Sequence, residues 1–191
     1  SNDNKTKQIE QMFDSISTNY DLLNHLFTLG IDKYWRRKAI SIVKSHSPKK
    51  VLDIATGTGD LIIVLEKILK PDSIIGIDLS ENMLEIAKSK ILKHTNIKDI
   101  TLLKGDVNHL DFSDNTFDLA TSSFGVRNFE NLSLGLKETY RVLKPAGHCL
   151  ILELSQPKNL LIKTFYNFYS NKLIPFFGKL ISKDKSAYSY L

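Results

Sequence analysis

One cysteine, Cys149, is all the sulfur chemistry this 191-residue chain offers, so no disulfide framework holds it and no cysteine-rich metal site can be built. The five histidines (His25, His46, His94, His109, His148) include no pair at helical ligand spacing, and no metal is expected. No uninterrupted apolar run approaches the ~20 residues of a membrane-spanning helix, and no signal peptide opens the chain. A cytoplasmic protein is the expectation. Ser1-Asn2 reads as a remnant of expression and is set aside. Acid is scarce in one region only. From Lys158 onward six lysines face a single acid, Asp184, while the preceding residues hold 20 basic and 20 acidic side chains. The same 34 residues carry eight of the 18 aromatics. They contain no arginine and no RNA-binding module, so nucleic acid is not an expected partner.

What is present is ordinary for one globular domain: 42% hydrophobic and 25% charged residues, in a length that supports a real core. The middle of the chain alternates. Val51–Ala55, Ser73–Asp78, Ile100–Leu103, Phe117–Ser123 and His148–Leu154 read as strands. Leu61–Lys70, the stretch after Ser80 with Met83, Leu84, Ala87 and Ile91, and Leu132–Leu143 carry helical apolar spacing. Pro71 and Lys144-Pro145-Ala146-Gly147 read as stops. Strands separated by helices of this length form right-handed crossovers and a parallel sheet, so the expected fold is a doubly wound α/β domain. Three segments are expected: 1–47, a helical lid broken at Asn19–Asp21 and Gly30–Asp32; 48–157, the Rossmann-like core; and 158–191, an aromatic, basic helical segment. Ligands of such sheets sit beyond the carboxyl ends of the strands, which singles out 56–60, 78–79, 105–107 and 123–128.

The turn after the first strand, Ala55-Thr56-Gly57-Thr58-Gly59-Asp60, limits the ligand. A dinucleotide turn has a small residue in the third glycine position, for close helix packing; here that residue is Ile62. Asp60 would face the pyrophosphate, and Asp53 adds a second charge nearby, which is unfavourable in a poorly solvated crevice. A ligand with an adenosine, a positive charge and no phosphate reverses the argument, and S-adenosylmethionine fits. Asp78 suits ribose hydroxyls, Asp106 an adenine amino group, and Val107 the ring face. Blander readings stand beside these: a tight turn only, a structural Asp53, an Asp78 that merely caps the next helix. Three successive strand ends bearing Gly57-Gly59, Asp78 and Asp106 favour the ligand site.

VLDIATGTGDL, GIDLSENML, GDVNHLDFSDNTFD, SSFGVRNF and YRVLKPAGHCLILELSQP, with MFDSISTNYDLLNHLFTLGIDKYWRR before them, closely resemble the menaquinone/ubiquinone biosynthesis C-methyltransferases. The first two motifs are shared with methyltransferases in general; SFGVRN and the N-terminal block are more specific. The resemblance implies a class I S-adenosylmethionine-dependent methyltransferase acting on a polyprenyl quinol. It implies cofactor contacts at Thr58, Asp78, Asp106, Val107 and Ser123, joined by Gly57, Gly59, Asp53 and Leu79 around them, with Tyr20 closing over the methionine part. Members of that family continue past the position of Tyr188–Leu191 with a helix and an antiparallel strand pair. Without them the fifth strand is expected to be an exposed edge open to pairing with another copy.

Carbon methylation needs a ring held near the methyl group and made electron-rich as a phenolate. Arg127 and Asn128 are the candidates, Arg127 as a fixed positive charge rather than a base. His109 has a suitable pKa for general-base work but belongs to a loop that reads as solvated. The blander role for Arg127 is a salt bridge to Glu130. The stripe Leu161, Phe165, Phe168, Tyr169, Leu173, with lysines at 158, 163, 172 and 179, reads as core packing with some capacity to lie on the inner membrane face. Other readings are a methyltransferase for another lipid-like acceptor, a non-catalytic methyltransferase-like subunit and, last, an NAD-dependent oxidoreductase.

Overall fold

The computed structural model describes residues 3–155 apart from 29 and 95–98. The aromatic, basic segment 158–191 lies outside them, as do the readings placed on it. Five strands, β1 (Lys50–Ile54), β2 (Ser73–Asp78), β3 (Ile100–Lys104), β4 (Phe117–Ser123) and β5 (Leu143–Leu152), form one sheet in the order β3-β2-β1-β4-β5. Every pairing is parallel. The chain moves outward from β1 to β3, then returns to the other side of β1 as β4. The switch point therefore lies between β1 and β4.

Parallel strands are buried on both faces and need helices over each. Period-two alternation along β1 sends Val51 to one side and Leu52 and Ile54 to the other. Val51 joins Ile62, Leu65, Ile74, Ala87 and Leu119 beneath α2 (Ile31–Val43), α3 (Asp60–Leu69) and α4 (Glu81–His94). Leu52 and Ile54 join Ile77, Phe117, Ala120 and Val142 beneath α5 (Leu132–Val142). Ser80 Oγ accepts from Met83 N at 3.1 Å and so caps α4, as its position in the sequence implies. Among the described residues no helix is long and apolar enough to cross a membrane.

Two expectations change. α1 runs unbroken from Asp3 to Phe27; Asn19 and Asp21 are only mildly poor helix formers, and Asp21 is held by partners on other elements. The chain does break at Gly30, whose φ of 74° is left-handed. The described part of 1–47 is helical as expected, in α1 and α2, and Ile40 and Val43 of α2 also belong to the core. The helix before Lys144-Pro145 does stop, at Val142, but β5 starts at Leu143 rather than His148, so Lys144–Gly147 is an irregularity inside the strand: the pairing jumps from Phe117↔Leu143 to Leu119↔His148, with Ala146 at φ 63°.

Helix α3 approaches the sheet closely despite Ile62 in the third glycine position. The space comes from the strand. An added Cβ on Gly76 of β2 would lie 2.7 Å from Ile62 Cδ1 and 2.9 Å from Leu102 Cδ2. Gly76→Val should therefore destabilise the fold by about 1–3 kcal/mol through overpacking, read from the midpoint of a urea melt. An unchanged midpoint would contradict this packing.

Candidate functional site

Beyond the carboxyl ends of β1, β2, β3 and β4 lies a cavity of about 720 Å³, counting space open to solvent. Its floor includes Ile54, Ala55 and Gly57 after β1, Asp78 and Leu79 after β2, Asp106 and Val107 after β3, and Ser123 to Gly125 after β4. Its roof is α1, which contributes Thr6, Ile9, Phe13 and Tyr20 at helical spacing. The Phe13 and Tyr20 rings meet edge to face, 6.0 Å between centroids. Three carboxylates, Asp78, Asp106 and Glu130, line this cavity, and no Lys, Arg or His does among the described residues.

Asp78 joins two elements. Its Oδ2 accepts from Gly57 N at 2.8 Å, and its Oδ1 from Ser80 N at 3.0 Å. Burial pushes its pKa up, while the amide donors of Ser80 and Gly57 pull it back. Gly57 is left-handed at φ 55°, and a Cβ added to it meets nothing within 4 Å, so the position opens onto the cavity. Asp106 receives Asn108 N and Nδ2 on Oδ1 alone, at 2.8 and 3.0 Å. Ser123 Oγ is buried without a hydrogen-bond partner, an unsatisfied group of the kind a ligand completes. Burial raises the Tyr20 phenol, with the hydrogen bond to Asn24 acting the other way.

Of the residues expected at the site, Gly57, Asp78, Leu79, Asp106, Val107, Ser123, Asn128 and Tyr20 meet at this cavity. Thr58, Gly59, Asp53 and Arg127 do not line it. Thr58 is buried on the far side of the turn, its hydroxyl donating to Asp21 Oδ1 and accepting from Lys90 Nζ at 3.0 Å. Gly59 faces α4, where an added Cβ would sit 3.1 Å from Ala87 Cβ. Arg127 stands at the rim on the 3₁₀ turn Val126–Asn128, with NH1 3.8 Å from Glu153 Oε1 rather than on Glu130. Asp60 also turns away. Its Oδ1 receives Lys90 Nζ at 2.7 Å and its Oδ2 lies 3.6 Å from Arg36 NH1, so it does not face the ligand. The acidic character of the cavity comes instead from Asp78, Asp106 and Glu130. His109 is exposed and off the cavity. Sequence reading missed Thr6, Ile9 and Phe13. Their spacing with Ile16 and Tyr20 was a usable signal, obscured by the break placed at Asn19.

The model of the ubiE/COQ5 methyltransferase family matches residues 1–191. The chain belongs to that family. It is 49% identical over its whole length to a demethylmenaquinone methyltransferase of Bacteroides fragilis, covering 78% of that protein. It is 42% identical over 98% of its length to a ubiquinone/menaquinone biosynthesis C-methyltransferase UbiE of Geotalea daltonii, covering 80% of it. A Methanococcus maripaludis structure, assigned as an S-adenosyl-L-methionine-dependent methyltransferase, superposes with a TM-score of 0.67 at 26% identity. That superposition covers 88% of this chain and 75% of that one. The [4+2]-cyclase SpnF gives the same TM-score at 18% identity, covering 81% of this chain and 63% of its own, and shows the fold alone. This methyltransferase thus has the Rossmann-like class I sheet.

Beneath the methyltransferase's glycine turn, Asp53 is 1% exposed. Thr56 Oγ1 donates to its Oδ2 at 2.5 Å and Thr121 Oγ1 to its Oδ1 at 2.7 Å, which ties β1 to β4 at the switch point. Burial outweighs these bonds and pushes the carboxyl up from 3.8 to about 6, an ionisation cost of about 3 kcal/mol. A raised folded pKa makes this contribution full below the unfolded value and lost as pH rises through the folded one. Asp53→Asn should therefore gain on the wild type by up to about 3 kcal/mol between about pH 4 and pH 7, whatever its offset at pH 4. Urea melts across that range test this; a constant difference would contradict it.

Proposed function

We propose that this methyltransferase transfers a methyl group from S-adenosylmethionine to a ring carbon of a demethylated polyprenyl quinol, with demethylmenaquinol the first candidate. The supporting observation is the cavity itself: among the described residues, three carboxylates, no cation and an apolar roof at the switch point of the sheet. Such a wall favours a cationic adenosyl ligand and repels a pyrophosphate. S-adenosylmethionine supplies an electrophilic methyl group on a sulfonium. The protein supplies placement. Asp78 accepts the ribose hydroxyls on lone pairs beyond those used by Gly57 N and Ser80 N. Asp106 and Val107 hold the adenine, Leu79 packs beside it, and Ser123 and Tyr20 close the methionine side. Asp53, Thr58 and Gly59 act from behind the turn by fixing its shape.

The acceptor ring enters against Phe124, Phe129 and the apolar face of α1, a surface suited to a naphthoquinol. Asn128, whose side-chain amide has no hydrogen bond among the described residues, is directed to a ring oxygen. As the ring loses its O–H proton, its phenolate competes with Glu153 for the Arg127 guanidinium at the rim. The proton passes to water, since no histidine lines the cavity among the described residues. When bound, the cofactor would supply the methyl group, its S–CH₃ bond breaking to leave the thioether as the C–C bond forms; the ring's C–H proton would then be lost to water and one proton regained at the ring oxygen, for a net release of one proton. Bilayer contact, which such a substrate invites, stays assigned to the 158–191 segment outside the described residues.

Incubation with demethylmenaquinol and S-adenosylmethionine should yield a product carrying one added ring-carbon methyl group. Absence of that product, from a protein that binds the cofactor, would reject the quinol acceptor. Arg127→Met should lower kcat roughly 100-fold, the scale of losing one donor to a developing oxyanion, with little change in KM for S-adenosylmethionine. An unaltered kcat would remove Arg127 from the mechanism.

A further inference from the structure

Lys90 lies on α4, outside the cavity, yet it joins the two elements that bound it. Its side chain is 19% exposed, and its ammonium reaches Asp21 Oδ2 on α1, Asp60 Oδ1 at the start of α3 at 2.7 Å, and Thr58 Oγ1 in the glycine turn at 3.0 Å. A lysine has three donors, and all three are used. Asp21 bridges, taking Lys90 on one oxygen and the Thr58 hydroxyl on the other. The second oxygen of Asp60 faces Arg36, which is buried, pairs with Asp32, and lies 5.2 Å over the Phe124 ring of the cavity wall. Each end of this chain of contacts is one residue from a cavity group: Asp21 follows Tyr20, and Thr58 follows Gly57.

We infer that Lys90 is a positioning residue that latches α1 onto the glycine turn and thereby sets the height of the roof over the cofactor. The inference rests on reading the cavity as the cofactor site. Other ties of α1 lie along its polar stripe and include Thr6 to Glu130, Glu10 to Lys104 at 2.7 Å, and Asp14 to Ser80 Oγ. Glu10–Lys104 is partly exposed, and exposed pairs contribute little. The Lys90 site differs because it is largely buried and holds two carboxylates with one cation. Removing the ammonium leaves Asp21 and Asp60 facing each other, and the cheapest relief is for Asp21 to leave with α1. Tyr20 moves with it.

Lys90→Met should raise KM for S-adenosylmethionine about tenfold, within the ordinary range of coupling between sites, and leave kcat within about threefold. Hydrogen exchange on the ligand-free protein should show faster exchange along α1, with β1 and β4 unchanged. Lys90→Arg should restore most of both. Asp21→Asn should reproduce the effect, and the double variant should add little to either single one. Should Lys90→Met fail to fold, exchange in Asp21→Asn decides. Unchanged KM and unchanged α1 exchange, or a lower melting temperature with both unchanged, overturn the latch. A wild type that binds no S-adenosylmethionine removes the cofactor reading, while α1 exchange in the two variants still decides the latch.

Discussion

The Asp78 carboxylate is the contact on which the site depends. Parallel pairing of Ile54 with Ile77 brings the ends of β1 and β2 level, and Asp78 then takes the amide of Gly57 on one oxygen and that of Ser80 on the other. One half-buried carboxyl group thus fixes the turn after β1 and the start of α4 together. The amides also act against burial, which pushes its pKa up. A carboxylate held in this way keeps lone pairs directed toward the cavity without reorganisation when a ribose arrives.

The rest of the cavity follows from that frame. α3 can lie close to the sheet because Gly76 yields to Ile62, so the turn needs no third glycine. Asp53 ties β1 to β4 from below through Thr56 and Thr121. Above, the apolar stripe Ile9, Phe13 and Tyr20 closes the space, and the polar stripe of the same helix fastens it to the rim. The wall that results is acidic and apolar. That composition, rather than the fold, argues for the ligand; the SpnF cyclase has a sheet of the same kind.

The strands and helices of the core were legible because buried parallel strands are short apolar runs and their helices repeat at 3.6 residues. β4 was read to the residue, and the Asp78 and Asp106 strand ends were correctly brought to one cavity. Side-chain direction within a turn was not legible. Thr58 and Asp60 alternate with Gly57 and Gly59, and nothing in their identity says which side of the turn faces the ligand. Their direction is set by Lys90, some 30 residues away, and by Asp21, 69 residues from Lys90. Such partners are fixed only by tertiary packing. The pairing of Arg127 was hidden for the same reason, its partner Glu153 lying beyond the next helix and strand. The continuity of α1 was obscured by polar residues that helices tolerate.

The central claim is that an acidic cavity, with no cation among the described residues, selects an adenosyl ligand that carries no phosphate. Calorimetric titration of the ligand-free protein with S-adenosylmethionine, S-adenosylhomocysteine and NAD under one set of conditions tests it most directly. The account predicts binding of both adenosyl compounds and none of NAD at the same concentrations. NAD affinity equal to that of S-adenosylmethionine would contradict it.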